Sequence, residues 1–265
     1  MKKIISIFII VFISVSLFAQ TNMIIKTTDG NTHSYPISEV DSVYYQEVIS
    51  NCGTVTDYDD NIYQTITIGT QCWMAENLKV THYPNGDAIP LVADSTAWDN
   101  LAGDNTSDAY SYYNNSSANA TTYGALYTYA AAIGDNWVRD NNNGQGVCPD
   151  GWHLPTDAEW TTLTDYLGGT SVAGGKMKEI GTTHWNSPNA EADNSSGFSA
   201  LPSGFRDLNS TFYVLGDDGY WWSATEYSSD SSDSSYYRAM DYNRAEVTRC
   251  DFFKSIGFSV RCVRD

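Results

Sequence analysis

Three sets of side chains in this sequence carry the acids and oxygen donors that ligation or hydrolysis would need. Asp57, Asp59 and Asn61 repeat oxygens at i, i+2 and i+4, the spacing of a calcium loop, and Asp140-Asn141-Asn142-Asn143-Gly144 is a second oxygen-rich loop. The first lacks the glycine and distant bidentate glutamate of an EF-hand, and the second is irregularly spaced. Both read as polar turns of the Asx kind, so calcium is expected to be dispensable. Asp157 and Glu159 offer a carboxylate pair of the type used in glycoside hydrolysis. However, Thr156-Asp157-Ala158-Glu159 also fits a capping box, which accounts for both. The four histidines, His33, His82, His153 and His184, lie in separate segments with no spaced metal partner, and His153 reads as a packed structural residue. Gly-x-Ser-x-Gly, His-Glu-x-x-His and a glycine-rich phosphate loop are all missing. The expectation is a chain without catalysis, cofactor or bound metal.

A different chemistry gathers between Tyr227 and Arg244. Tyr227, Tyr236, Tyr237, Arg238, Tyr242, Asn243 and Arg244 bring aromatic faces and hydrogen-bond donors into one segment, the mixture antibody paratopes use. These seven are the expected ligand-binding residues. The alternative for Arg238 and Arg244 is pairing with Asp230, Asp233, Asp241 or Glu246, and exposed pairs of that kind contribute at most about 1 kcal/mol. Trp221 and Trp222, just upstream, read equally as core packing.

The 265 residues carry 14 basic and 32 acidic side chains, a net charge of -18, which argues against binding nucleic acid through phosphate neutralisation. Met1-Lys2-Lys3, the apolar run Ile4 to Phe18 and Ala19 before Gln20 have the form of a signal peptide spanning residues 1–19. The run is short of the roughly 20 apolar residues a membrane span requires, so no membrane insertion is expected after cleavage. Removing Lys2 and Lys3 with the leader leaves 12 basic against 32 acidic groups, or -20.

The positioning elements follow from local signals. Residues 20–50 read as a short β segment, with Met23 to Lys26 and Val40 to Tyr45 strand-like and Asp29-Gly30 a hairpin turn. Thr54 to Thr56 and Tyr63 to Ile68 form a second hairpin, the latter strand alternating Tyr63, Thr65, Thr67 against Ile62, Ile66, Ile68. Leu91 to Asn119 has little periodicity and reads as a long surface excursion. Tyr123 to Ile133 reads as a short helix with Leu126, Tyr129, Ala130 and Ile133 on one face. A second helix starts at Asp157 behind the cap, carries Trp160, Leu163 and Leu167 as one stripe, and stops at Gly168-Gly169. Short strands follow: Gly197 to Arg206, Tyr220 to Thr225, Tyr236 to Tyr242, Arg244 to Cys250 and Gly257 to Val263, the last alternating Phe258, Val260, Cys262 against Ser259, Arg261. Two short helices and then a run of antiparallel strands make an α+β, loop-rich domain over 51–265.

The strings IGTQCWMAENLKVTHYPNGDAIP, YGALYTYAAA, GVCPDGWHLPTDAEW and GYWWSATEY…SIGFSVRCVRD together resemble the Fibrobacter succinogenes major paralogous domain. That family is similar to the C-type lectin-like fold in its formylglycine-generating-enzyme branch, and is exported without a general assigned activity. The resemblance implies that fold and that compartment. It also implies a Cys148–Cys262 disulfide, since such folds join the cysteine near the helix start to one in the last strand, and this leaves Cys52 and Cys72 to pair across the N-terminal hairpin. On the chain-entropy account these bridges contribute about 4–5 and about 3 kcal/mol. Cys250 is then left as a buried small hydrophobe, a reactive thiol or an intermolecular crosslink. The oxidase branch relies on closely spaced copper-binding cysteines, from which the Cys250 and Cys262 spacing departs. The sugar-site triplets of calcium-dependent lectins are missing, with Trp221-Trp222-Ser223 where Trp-Asn-Asp stands in that family. In the lectin-like fold, Tyr227 to Asn243 corresponds to the ligand face. The resulting expectation is a secreted, cell-surface or periplasmic binding module whose partner is a glycan or surface protein. The alternatives are a passive component of a surface assembly and a degenerate oxidase.

Overall fold

The computed structural model describes residues 22–26, 32–36, 51–134, 144–227 and 233–265, in two compact units, Met1–Val48 and Ile49–Asp265. The signal peptide at 1–19, the Asp29-Gly30 turn, Val40 to Tyr45, Asp140 to Asn143 and Asp230 lie outside the described residues. In the first unit, β1 (Asn22–Lys26) pairs antiparallel with β2 (Thr32–Pro36), from Asn22 opposite Pro36 to Lys26 opposite Thr32.

The second unit opens with β3 (Thr54–Thr56), β4 (Ile62–Ile68) and β5 (Gln71–Met74). The turn into β4 is the expected Asx turn. Asp57 Oδ1 accepts from the amides of Asp59 and Asn61, each at 3.0 Å, and Tyr63 donates its hydroxyl to Asp57 Oδ2 at 2.6 Å. The alternation expected in β4 holds only in part. Tyr63 and Thr65 are buried, Ile62 is exposed, and Ile66 and Ile68 are buried on the other face, because this strand is covered on both sides along its second half.

The segment read as a surface excursion is instead tied into the body of the domain. It contains α1 (Ser95–Asp99), capped by Asp94, and β6 (Tyr110–Ser111), with Trp98, Ala109, Tyr110 and Tyr113 all buried. Trp98 lies under the Arg206 guanidinium at 4.2 Å and donates its indole N–H to the Asp207 carbonyl at 3.0 Å. Aromatic anchors, not periodic aliphatics, hold this stretch down.

The helix expected over Tyr123 to Ile133 is three elements: α2 (Ala118–Tyr123), β7 (Leu126–Tyr127) and α3 (Tyr129–Ile133). Gly124 breaks it. Its φ of 78° is left-handed, and a Cβ there would stand 2.6 Å from the Leu78 carbonyl oxygen. Thr128 then caps α3 by accepting from the Ala131 amide.

After β8 (Trp152–His153) comes the expected capped helix, α4 (Asp157–Tyr166), with both halves of the capping box formed. Gly168 and Gly169 both have positive φ and end it. A further helix, α5 (Thr170–Met177), follows directly and was not expected from its sequence TSVAGGKM, since glycine disfavours helix interiors. Packing explains its two glycines: a Cβ on Gly174 would sit 2.6 Å from the Glu246 carbonyl, and one on Gly175 2.5 Å from that of Glu191.

The C-terminal half supplies β9 (Phe205–Arg206), β10 (Phe212–Tyr213), β11 (Asp218–Glu226), β12 (Ser234–Asp241), β13 (Val247–Phe253) and β14 (Val263–Arg264). One antiparallel sheet has the order β3-β4-β5-β14-β8, and a second has the order β11-β12-β13; β6 pairs with β7 and β9 with β10. The domain is α+β, with its helices set against several antiparallel sheets. The expected long strand Gly257 to Val263 is mostly not a strand. Its backbone bonds in turn to Arg206, Tyr127, Tyr220, Leu78 and Met74, so it threads the centre of the domain and is buried on both sides, Ser259 and Arg261 included. The Arg261 guanidinium is satisfied there by Asn77 Oδ1 at 2.9 Å and by the Phe198 and Ser199 carbonyls.

Two cores flank this thread. Trp221 packs in one with Trp73, Trp160, Leu163, Phe198 and Met240, while Trp222 packs in the other with Tyr127, Tyr129, Phe258 and Val260. Consecutive strand residues point to opposite faces, so this single Trp-Trp step serves both. Disulfides join Cys52 to Cys72 and Cys148 to Cys262, and Cys250 is free. Cys250 is also exposed, which overturns its reading as a buried small hydrophobe.

Candidate binding surface

The sheet β11-β12-β13 divides the expected ligand-binding residues between its faces. Register places Trp222 opposite Tyr237 and Tyr237 opposite Cys250, so these three share one face; Trp221, Arg238 and Arg249 share the other. Arg238 lies on the helix side, 1% exposed, with its guanidinium 2.8 Å from the Asp157 carboxylate. It is therefore an internal ion-pair residue, correcting its expected role as a ligand contact, and its partner is none of the four acids considered for it. Asp157 also holds Arg249 through two hydrogen bonds of 2.8 and 3.0 Å. Burial pushes the Asp157 carboxyl up, but the two guanidinium groups outweigh it and hold the group below its ordinary value.

Tyr236 is on the same side, with Arg249 over its ring at 3.9 Å and Tyr227 edge-on at 5.4 Å. Tyr242, Asn243 and Arg244 lie at the far end of the strands, in the turn into β13. Tyr242 packs partly into the core, Asn243 and Arg244 are exposed, and Lys178 pins the turn by donating to the Asp241 and Arg244 carbonyls. The seven residues thus occupy three places and do not form one surface.

Only Tyr237 among them faces the other side, where it belongs to a row of rings drawn from five strands. Tyr213 lies 5.5 Å from Phe205, Phe205 5.1 Å from Tyr220, Tyr220 5.7 Å from Tyr237, and Tyr237 6.5 Å from Phe252. Phe253, the next residue of the strand and so turned toward the other face, meets Phe252 edge-on at the end of the sheet, 5.6 Å away. Buried Phe258 supports its middle, stacked on Tyr220 at 5.1 Å with an interplanar angle of 10° and tilted against Tyr237 at 5.1 Å. The outer members are open: Tyr213 and Phe252 are each 38% exposed.

Polar groups edge the row. Tyr220 donates to Asp218 Oδ2 at 2.7 Å. Burial, reinforced by repulsion from Asp241 and Asp217, raises the Asp218 carboxyl above its ordinary value despite that bond. Burial and the neighbouring Cys250 push the Tyr237 phenol up to about 12, and burial with Asp218 raises that of Tyr220, so both keep their protons at neutral pH. The surface therefore offers flat apolar faces, hydroxyl donors and carboxylate acceptors. Phe205, Tyr213, Tyr220 and Phe252 escaped the sequence reading because they are scattered; the signal that could have linked them is the period-2 placement of Tyr220, Tyr237 and Phe252 in neighbouring strands.

The other polar clusters have structural explanations. His153 is gripped on both ring nitrogens, by Asp265 at 2.7 Å and Glu159 at 2.8 Å, which welds β8 to the start of α4. Asp59, beside a concavity lined by Asn61, Lys79, Thr81 and Tyr112, accepts from the Thr81 amide and hydroxyl and meets His82 Nδ1 at 2.6 Å. Thr81 Oγ1 meets the same nitrogen at 3.1 Å, so no proton can relay from hydroxyl through ring to carboxylate. Among the described residues, no three His, Cys, Asp or Glu side chains converge on a metal position. No helix among them is long and apolar enough to cross a membrane.

Fold and surface together define a disulfide-linked α+β domain that presents an aromatic strip, and the two disulfides are consistent with a non-cytoplasmic protein. The chain belongs to the Fibrobacter succinogenes major domain family, whose pattern matches residues 66–264. No curated protein and no solved structure matches the chain.

Proposed function

We propose that the domain is an exported, non-enzymatic binding module of C-type lectin-like fold that recognises carbohydrate along the row Tyr213–Phe205–Tyr220–Tyr237–Phe252. The observation that carries this reading is the row itself: rings 5.1–6.5 Å apart, seated on Phe258 and open to solvent at Tyr213 and Phe252. Aromatic faces stack on the apolar faces of sugar rings, while the phenols and Asp218 supply the donors and acceptors that sugar hydroxyls need. Calcium has no part in this scheme.

A glycan array with the leaderless chain, followed by calorimetric titration of the best hit, tests the reading. The double variant Tyr213→Ala/Phe252→Ala removes two exposed rings worth about 1 kcal/mol each, so affinity is expected to fall roughly tenfold or more with the melting curve retained. A variant that binds the hit as tightly as the parent would place the ligand elsewhere. A blank array would favour a protein ligand or a passive surface role.

A further inference from the structure

We propose that two copies of this chain pair antiparallel through the outer edges of β13, about a two-fold axis at Cys250, and that a Cys250–Cys250 disulfide locks the pair. β13 ends its sheet, and among the described residues no strand or bridge lies on its far side. Natural proteins usually blunt such an edge with a bulge, a proline or inward charge. β13 has neither bulge nor proline, and its two charges, Arg249 and Asp251, are of opposite sign. Helix α5 lies against its start, where the Gly175 amide donates to the Ala245 carbonyl, but beyond that its pairing with β12 is unshifted over seven residues, VTRCDFF, and Thr248, Arg249, Cys250 and Phe252 are exposed. Val247 is buried, so the free stretch begins at Thr248.

The hydrogen-bond phase of this edge suits the proposal. The Lys254 amide donates to the Asp233 carbonyl at 2.9 Å, in line with the register of β12 and β13. Alternation from that bond turns the main-chain groups of Phe252, Cys250 and Thr248 toward β12, and those of Arg249 and Asp251 outward. A two-fold axis at Cys250 sets Arg249 of each copy opposite Asp251 of the other, so each such pair exchanges two main-chain hydrogen bonds and matches opposite charges on one face. Asp157 already holds Arg249 in position while leaving it 44% exposed. On the other face, Phe252 of each copy meets Thr248 of the second copy.

At the centre, Cys250 faces Cys250 at a pair without main-chain hydrogen bonds, where Cα atoms approach to about 4.5 Å, within the 4.4–6.8 Å range of disulfides. The oxidant required is itself a disulfide. One Cys250 thiolate attacks it, releasing one thiol and forming a mixed disulfide; the second Cys250 thiolate then displaces the other thiol. Two Cys250 thiols and one oxidant disulfide thus become one Cys250–Cys250 bridge and two small thiols. The pairing does not depend on carbohydrate binding and can fail without affecting that reading.

The test is the molar mass of the leaderless chain by light scattering after treatment with oxidised glutathione, with peptide mapping of the product. A doubled mass that returns to monomer with reductant, and a Cys250–Cys250 peptide, are expected. Asp251→Arg alone or Arg249→Asp alone sets like charges opposite each other and should lower the yield of crosslinked dimer at least several-fold. An equimolar mixture of the two variants restores both charge pairs and should crosslink as mixed dimer with the parent's yield. A chain that stays monomeric under oxidation, a crosslink through another cysteine, or a mixture no better than its components would each overturn the proposal.

Discussion

The two faces of the sheet β11-β12-β13 are built from alternate residues of the same strands, yet they are finished in opposite ways. The helix side is sealed: Trp221, Arg238, Met240 and Val247 are all buried, and the one charge among them is matched by Asp157 from the first turn of α4. The other side keeps Tyr220 and Tyr237 half-buried and Phe252 exposed, with phenol hydroxyls and the Asp218 carboxylate as polar groups. Tyr237 and Arg238 are neighbours in sequence and strangers in space. A charge became structural because a helix cap lay over it, and a ring became available because none did.

Removing the seal should have the largest effect. Asp157→Ala strands Arg238 as an uncompensated buried cation, a loss of about 3–5 kcal/mol, or roughly 6–20 °C in melting temperature at about 2–4 °C per kcal/mol. Chemical denaturation of parent and variant measures it, and a loss under about 1 kcal/mol would mean that the sealed face does not rely on this pair.

Next in size is the pH response of the clamp that fixes α4. Burial pushes the His153 imidazole down, but Glu159 and Asp265 outweigh it and raise it above 6.5. Burial pushes the Glu159 carboxyl up, but His153 and Thr156 hold it below 4.5. The raised His153 contributes stability that is complete below pH 6.5 and lost as pH climbs through its folded value; the lowered Glu159 contributes stability that is complete above pH 4.5 and lost as pH falls through its own. The stability gap between parent and His153→Gln should therefore be widest between these values and shrink in alkali, by about 1.5–3 kcal/mol for the charged hydrogen bond given up. A gap that does not change with pH would show that the clamp acts by shape alone.

The smallest effect belongs to the open face. Phe252→Ser removes a ring that is already 38% exposed, so stability should shift by about 0.5 kcal/mol or less, checked by the same denaturation curves. A loss comparable to that of Asp157→Ala would make Phe252 a core residue and end the contrast between the faces.

What could be read in advance was local. The capping box at Thr156 and Glu159, the Asx turn at Asp57 and the stop at Gly168-Gly169 are each written within a few consecutive residues, and each formed. The Cys148–Cys262 bridge was legible only through the family resemblance, since it spans 114 positions. Missed features depend on what comes from far away. Helix α5 hides behind glycines whose purpose is set by the carbonyls of Glu246 and Glu191, and Gly124 splits an apparently continuous helix because Leu78 lies against it. The segment Tyr227 to Arg244 was grouped by composition, whereas strand periodicity and the turn at Tyr242 divide it among three places.

Arg264 Nη1 reaches the Cys52 carbonyl at 3.4 Å, so the two ends of this domain lie close together, with a disulfide close behind each. A tensile load between those ends would run through sulfur: across Cys52–Cys72, along the chain to Cys148, then across to Cys262. Only the length from Cys72 to Cys148 could be drawn out, about 260 Å at roughly 3.4 Å per residue. Everything enclosed between Cys148 and Cys262, including β9 to β13, would carry no tension. The domain is wired like a shackle, with β9 to β13 outside the line of load and the segment from Cys72 to Cys148, which packs beneath the aromatic face through Tyr127 and Tyr129, inside it.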